Sequence, residues 1–298
     1  MVGESVHIPQ PEGSLRVIVR GDTGPPVLLL SGASNDNALL SWRHAIPALA
    51  AEHRVLALDW PKQGESKPWQ GFAGHDRMIE CVTAVLDHFG LRQAALVGLS
   101  QGGAIALAYT IRHPERVSRL VALAPAGVIS FPPVVHQMLW LTAKSRLLNR
   151  TIPSLVFRSR AACAWFARRA LFAGPVADFE EIVDEYHADV LANGVAPPTG
   201  RTTRSGSAGC ASTSGPSCPR SAAPRCSSRA ATTRACGPGT PAPRPGSCPG
   251  RGSSSSRALS HWSNRQEPER VNALITGFLR ESPADGRGDP GGNTTMRS

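Results

Sequence analysis

"LVGLSQGGAIAL", Leu96–Leu107, runs from a continuous apolar stretch into a segment of helical spacing through Gly98-Leu99-Ser100-Gln101-Gly102. A hydroxyl that must stand above the edge of a sheet at such a junction needs a very tight turn, so the positions two residues away cannot carry bulky side chains. Gly98, Gly102 and Gly103 satisfy that demand. Ser100 is therefore the candidate nucleophile. The helix that follows points its N-terminus at the turn, and the backbone N–H of Gln101 would face a developing negative charge. A tight glycine turn with no chemical role is the plain alternative; the placement directly after a β-run and directly before a helix argues for the chemical one.

Outward from this turn the pattern repeats. "PVLLLSG" (Pro26–Gly32) reads as a strand buried on both faces, "RVLALDW" (Arg54–Trp60) as a second buried strand, and "QAALVGLS" (Gln93–Ser100) and "VSRLVALAPA" (Val117–Ala126) as a third and a fourth strand. Between them "LLSWRHAIPALAAEH" (Leu39–His53), "HDRMIECVTAVLDHFG" (His75–Gly90) and "QGGAIALAYTIRHPE" (Gln101–Glu115) have helical spacing, the second closed by Gly90. "SVHIPQPEGSLRVIVR" (Ser5–Arg20) alternates around Pro-Glu-Gly as a hairpin does. Strand and helix alternating at short spacing predict an α/β fold with a mostly parallel sheet and right-handed crossovers. From Val128 to Pro198 the texture is helical, with Trp140, Trp165, Phe166 and Phe172 expected on apolar faces. Such an insertion after the fourth α/β strand reads as a lid over the carboxyl edge of the sheet, or as a plain helical subdomain.

With these pieces in place the chain resembles the α/β-hydrolase family, in its lid-bearing form with the nucleophile motif "GLSQGG". "LLLSGASNDNALLSW" (Leu28–Trp42) matches the loop that usually reads Leu-His-Gly, and "LALDWPKQGESKP" (Leu56–Pro68) resembles the family's Asp-x-Pro-Gly-x-Gly-x-Ser turn. "HWSNRQEPERVNALITGFLRE" (His261–Glu281) is similar to its closing histidine segment. Two positions depart from the pattern: Ser31 stands for a histidine and Lys62 for a glycine. The resemblance implies Ser100 as nucleophile, His261 as general base, and the backbone N–H groups of Ala33 and Gln101 as the oxyanion hole. It implies a small-molecule acyl substrate and neither metal nor cofactor. A serine nucleophile argues against the dehalogenase and epoxide-hydrolase branches, which use Asp there.

Composition bounds the rest. The formal charge is +10, yet nine of the 32 basic residues and none of the 22 acidic ones lie in Arg201–Ala258, so elsewhere the charges nearly cancel. The basicity therefore belongs to one segment, and a nucleic-acid binder acting through those arginines is disfavoured because no aromatics are interleaved with them and no recognisable module is present. Five of the seven cysteines fall in the same stretch without a CxxC pair or a histidine among them, which argues against zinc. The opening "MVGESVHIPQPEG" has no basic then apolar run, and no stretch has the length of a membrane span. A cytoplasmic location is the resulting expectation; the oligomeric state is left open.

Arg201–Ala258 uses only Arg, Thr, Ser, Gly, Ala, Cys and Pro. It has no carboxylate, although the family order is Ser, then Asp or Glu, then His. It also lacks the aliphatic and aromatic residues from which the fold's last two strands would be built. A low-complexity linker is one explanation. The genetic code offers another: read one base out of frame, each Ser encoded TCN becomes NTC, which is always Phe, Leu, Ile or Val. Ser253–Ser256 then become four apolar residues, and "PRCSSRAATTR" (Pro224–Arg234) permits a strand ending in Asp-Asp. The stretch is thus expected to be an out-of-frame translation entered near Thr202 and left just before His261.

The expected organisation is 1–127 as the first part of the core, 128–200 as the lid, 201–258 as an aberrant disordered stretch, 259–282 as the closing part of the core, and 283–298 as a disordered tail. Without its last two strands the Val117–Ala124 strand would be an exposed edge, and the helix at Glu267–Leu279 would lose its packing partner. Turnover is then expected to be very low or absent. Two alternatives remain beside a carboxylic ester hydrolase: a carbon-carbon bond hydrolase, and a non-catalytic binding protein on the same fold.

Overall fold

The computed structural model describes residues 3–126, 147–195 and 260–281. The expected organisation at 128–146, 196–259 and 282–298 therefore lies outside the described residues, the reading of Arg201–Ala258 included.

Six strands form one sheet in the order β1-β2-β4-β3-β5-β6: β1 (Glu4–Gln10), β2 (Gly13–Arg20), β3 (Pro26–Leu30), β4 (Arg54–Leu58), β5 (Ala94–Leu99) and β6 (Val117–Leu123). β1 and β2 form the antiparallel hairpin, and β2 pairs antiparallel with β4. From β4 through β3 and β5 to β6 all pairing is parallel. The central strands are apolar throughout because both faces are covered, and the two-residue period sorts them. Leu28, Leu30, Leu56 and Leu58 join Met78, Val82, Leu86 and Tyr109 on one face. Val27, Leu29, Val55, Ala57 and Leu99 join Trp42, Ile46, Leu49 and Ile275 on the other. Each such side chain, fully withdrawn from water, contributes about 1.5–3 kcal/mol before ordering costs.

The helices on these faces are α1 (Ala38–Trp42), α2 (Ala45–Leu49), α3 (His75–His88) and α4 (Gln101–Arg112). α3 closes at Gly90 with φ of 63°, as its sequence predicts. Leu39–His53 does not form one helix. Pro47 has no N–H to give to the carbonyl of Arg43 and its ring would strike it, so the chain breaks at Arg43–His44 into α1 and α2.

In the inserted segment α5 (Ile152–Val156), α6 (Arg160–Phe166) and α7 (Phe179–Asn193) are helical. Phe172 is buried, but Trp165 is 65% exposed. Cys163 and Ala167, four residues apart, are the buried face of that turn, and Trp165 lies between them on the other side.

α8 (Ser263–Gln266) and α9 (Pro268–Arg280) close the described chain. Among the described residues β6 pairs only with β5. The expectation that α9 loses its packing partner is corrected. Its Val271, Ile275 and Leu279 are buried in the same core as Ile46 and Leu49 of α2. Arg119 of β6 donates to the Phe278 carbonyl at 3.1 Å and lies over its ring. None of the helices is long and apolar enough to cross a membrane among the described residues.

Candidate active site

Ser100 stands at the β5–α4 junction with φ 51° and ψ −112°, a conformation that costs a non-glycine residue about 1–3 kcal/mol. Three hydrogen bonds hold it there: its N–H donates to Leu123 O at 2.8 Å, and its carbonyl accepts from Ala104 N at 3.0 Å and Ala126 N at 2.9 Å. The flanking glycines are obligatory for this bend. A Cβ at Gly98 would meet the Gly102 backbone at 2.5 Å, and one at Gly102 would meet Leu30 O at 2.2 Å and Ser31 O at 2.5 Å. The last pair shows how closely α4 approaches the end of β3.

The loop after β3, Ser31–Asn37, lies beside the nucleophile. A Cβ built on Gly32 would stand 3.7 Å from Ser100 Cβ and 2.7 Å from Asp36 Oδ2. The Gly32 N–H donates to Asp36 Oδ2 at 2.6 Å, and the Ser31 carbonyl accepts from Trp60 Nε1 at 2.9 Å. The Gly32 carbonyl accepts from Gln63 Nε2 at 3.0 Å. The N–H of Ala33 donates to no acceptor among the described residues. Gln101 begins α4, and its side chain is turned to Met78, Nε2 donating to Sδ at 3.1 Å.

Asp36 is buried, and burial pushes its carboxyl up to about 7 against the pull of Ser41 Oγ, Gly32 N and Asn37 N, which all donate to it. Asp59, at the end of β4, is likewise raised by burial while it accepts from Ala38 N at 2.7 Å, Arg16 Nη1 at 3.2 Å and Glu65 N at 3.0 Å. It ties the start of α1 to the turn after β4.

His261 precedes α8, and its neighbours fasten it to α1, the element that continues the Ser31–Asn37 loop. Asn264 Nδ2 donates to Ser41 O at 2.6 Å and Arg265 Nη1 to Leu40 O at 2.5 Å. Arg265, with its side chain fully enclosed, also pairs with Asp178, whose other contact is His44 Nε2 at 2.9 Å. Burial alone would raise Asp178, but His44 and Arg265 outweigh it and hold its carboxyl below the ordinary range. Trp262 donates its N–H to Leu171 O at 3.0 Å, linking the segment to the helical insertion.

Ser100 and the loop carrying Ala33 are thus brought together, with Gln101 next in the chain. No hydrogen bond joins Ser100 to His261 among the described residues. Asp36, Gln63 and Asp189 went unnoticed in the sequence. Asp189 of α7 accepts from Asn35 Nδ2 at 2.6 Å and from Lys67 Nζ at 2.7 Å, placing the insertion against the loop. Only the position of Gln63 within "LALDWPKQGESKP" hinted at its place, and nothing hinted at its partners.

A strained serine thus stands between a parallel strand and a helix, beside the loop that follows β3. The family model described as alpha/beta hydrolase fold matches residues 25–157, somewhat under half of the chain. It is 43% identical over 111 residues to a 2-hydroxymuconate semialdehyde hydrolase of Pseudomonas sp. (strain CF600), covering 37% of this chain and 39% of that one. It is 42% identical over 108 residues to the dihydrolipoyllysine-residue acetyltransferase component of an acetoin cleaving system of Pseudomonas putida, covering 36% of this chain and 29% of that one. The chain thus spans well under half the length of these curated relatives. A probable hydrolytic enzyme from Pseudomonas aeruginosa PAO1 has the same fold, with a TM-score of 0.53 and 21% identity over 64% of this chain and 61% of that one.

Proposed function

We propose that the chain is a serine hydrolase of carboxylic esters or related acyl substrates. The observation that carries the reading is Ser100 at φ 51° facing a loop whose Ala33 N–H donates to no acceptor among the described residues. Ser100 Oγ attacks the carbonyl carbon and His261 takes its proton. The N–H groups of Ala33 and Gln101 stabilise the oxyanion. Collapse expels the alcohol, which receives the proton from His261, and water then hydrolyses the acyl-enzyme by the same steps. The segment 128–200 acts as the lid. The Trp and Phe content of that segment favours an apolar acyl group.

The third member of the triad has no candidate between Asp189 and Glu267, a span without a carboxylate. Without it the imidazole tautomer is not fixed, and a loss of about 10⁴ in kcat is expected. We attribute the gap to the out-of-frame reading of residues 202–260. The test is turnover of p-nitrophenyl esters by this chain and by one in which that stretch is read in the shifted frame. The shifted chain should be at least about 10³-fold faster; equal rates contradict the proposal.

Two further readings have support of their own. The 43% identity to a semialdehyde hydrolase favours a carbon-carbon bond hydrolase on the same apparatus. The absent carboxylate favours a non-catalytic binding protein, which would not be trapped at Ser100 by an organophosphate.

A further inference from the structure

We propose that Gln63 is the positioning residue of the oxyanion loop, setting the direction of the Ala33 N–H through the carbonyl of the same peptide group. A trans peptide is a rigid plate whose C=O and N–H point in opposite directions. The plate between Gly32 and Ala33 is held on its carbonyl side by Gln63 Nε2 at 3.0 Å, and its N–H is therefore aimed away from Gln63. The plate before it is fastened at both ends, its carbonyl by Trp60 and its N–H by Asp36.

Both hydrogens of the Gln63 amide are used, the second on Ser34 O at 3.1 Å, so the carbonyls on either side of Ala33 are stapled to one nitrogen. Ser34 has a φ of 69°, a conformation that an L-residue keeps only when its surroundings impose it. The amide oxygen accepts from Ser31 Oγ at 3.2 Å, and this bond fixes which way the amide faces. Turned over, it would set an oxygen against two carbonyls. Gln63 is 1% exposed, and its own backbone is held by bonds to Trp60 and Ser66. Ser31, which stands where the family pattern has histidine, thus orients the residue that orders the loop.

The catalytic consequence rests on the serine-hydrolase reading; the structural one rests on the loop alone, and two readouts separate them. The variants are Gln63→Met, of similar length without donors, Gln63→Glu, of the same shape with acceptors in place of donors, and Ser31→Ala. In the full chain, hydrogen exchange of residues 30–37 is measured with residues 75–88 as reference, together with the rate at which a fluorophosphonate labels Ser100. Both Gln63 variants should raise exchange in the loop at least tenfold while the reference stays unchanged, with Gln63→Glu the more severe. Labelling should slow at least tenfold, against the 10²–10³ typical of losing an oxyanion donor outright. Ser31→Ala should move both in the same direction by less. Unchanged loop exchange in both Gln63 variants, or an equal rise in residues 75–88, overturns the proposal. A parent that never labels at Ser100 overturns the serine-hydrolase reading, and the exchange data then decide the role of Gln63.

Discussion

Asp36 Oδ2 accepts the N–H of Gly32 at 2.6 Å, so a buried carboxylate closes the loop that faces Ser100. Its carboxyl, raised by burial to about 7 from 3.8, binds a proton more tightly in the folded state than in the unfolded one. Its contribution to stability is therefore complete at acid pH and is lost as pH rises towards 7. Asp36→Asn removes that dependence. Urea unfolding at pH 5 and pH 8 should show the parent losing stability relative to Asp36→Asn across the interval, by no more than about 1.4 kcal/mol per pH unit. Identical pH slopes would mean that its three donors keep Asp36 ionised throughout.

Strain at Ser100 predicts opposite effects of two inactivating changes. Ser100→Gly relieves the positive φ and should be about 1 kcal/mol more stable than Ser100→Ala, which retains it. Thermal unfolding of the two variants reads the difference directly. Equal midpoints would show that the three backbone bonds at Ser100 impose no strain.

The ion pair between Arg265 and Asp178 fastens the His261 segment to α1 and to the start of α7. Removing Asp178 strands an enclosed guanidinium, so Asp178→Ala should cost about 3 kcal/mol. Arg265→Met leaves no buried charge and should cost less. Chemical denaturation gives the order, and a milder Asp178→Ala would place the weight on the Leu40 carbonyl instead.

Peptide mapping of the natural product tests the out-of-frame reading. Masses should match a stretch with apolar residues and carboxylates between Thr202 and His261. Peptides with the sequence of Arg234–Arg251 as it stands would contradict it.

Much of this molecule is legible where local and global demands coincide. The β1–β2 hairpin, the four strands β3 to β6, of which β3, β4 and β5 are buried and β6 only in part, and the glycine-flanked Ser100 each follow from period and turn chemistry, and each is found. Failures occur where a tertiary partner decides. The single proline at 47 split a helix whose apolar pattern was otherwise continuous. α9 kept its place because α2 and Arg119, not further strands alone, receive it. The bonds of Asp36 and Gln63 to the Gly32 peptide join residues that are 4 and 31 positions apart, and no periodicity encodes them.

The most direct measurement of the central claim is the site of fluorophosphonate attachment, read by mass in the tryptic peptide Gln93–Arg112 of the folded full chain. A slow, single adduct on Ser100, absent after denaturation and absent in Ser100→Ala, is the predicted result. No adduct after prolonged exposure of the folded chain, or an adduct on another residue, would contradict it.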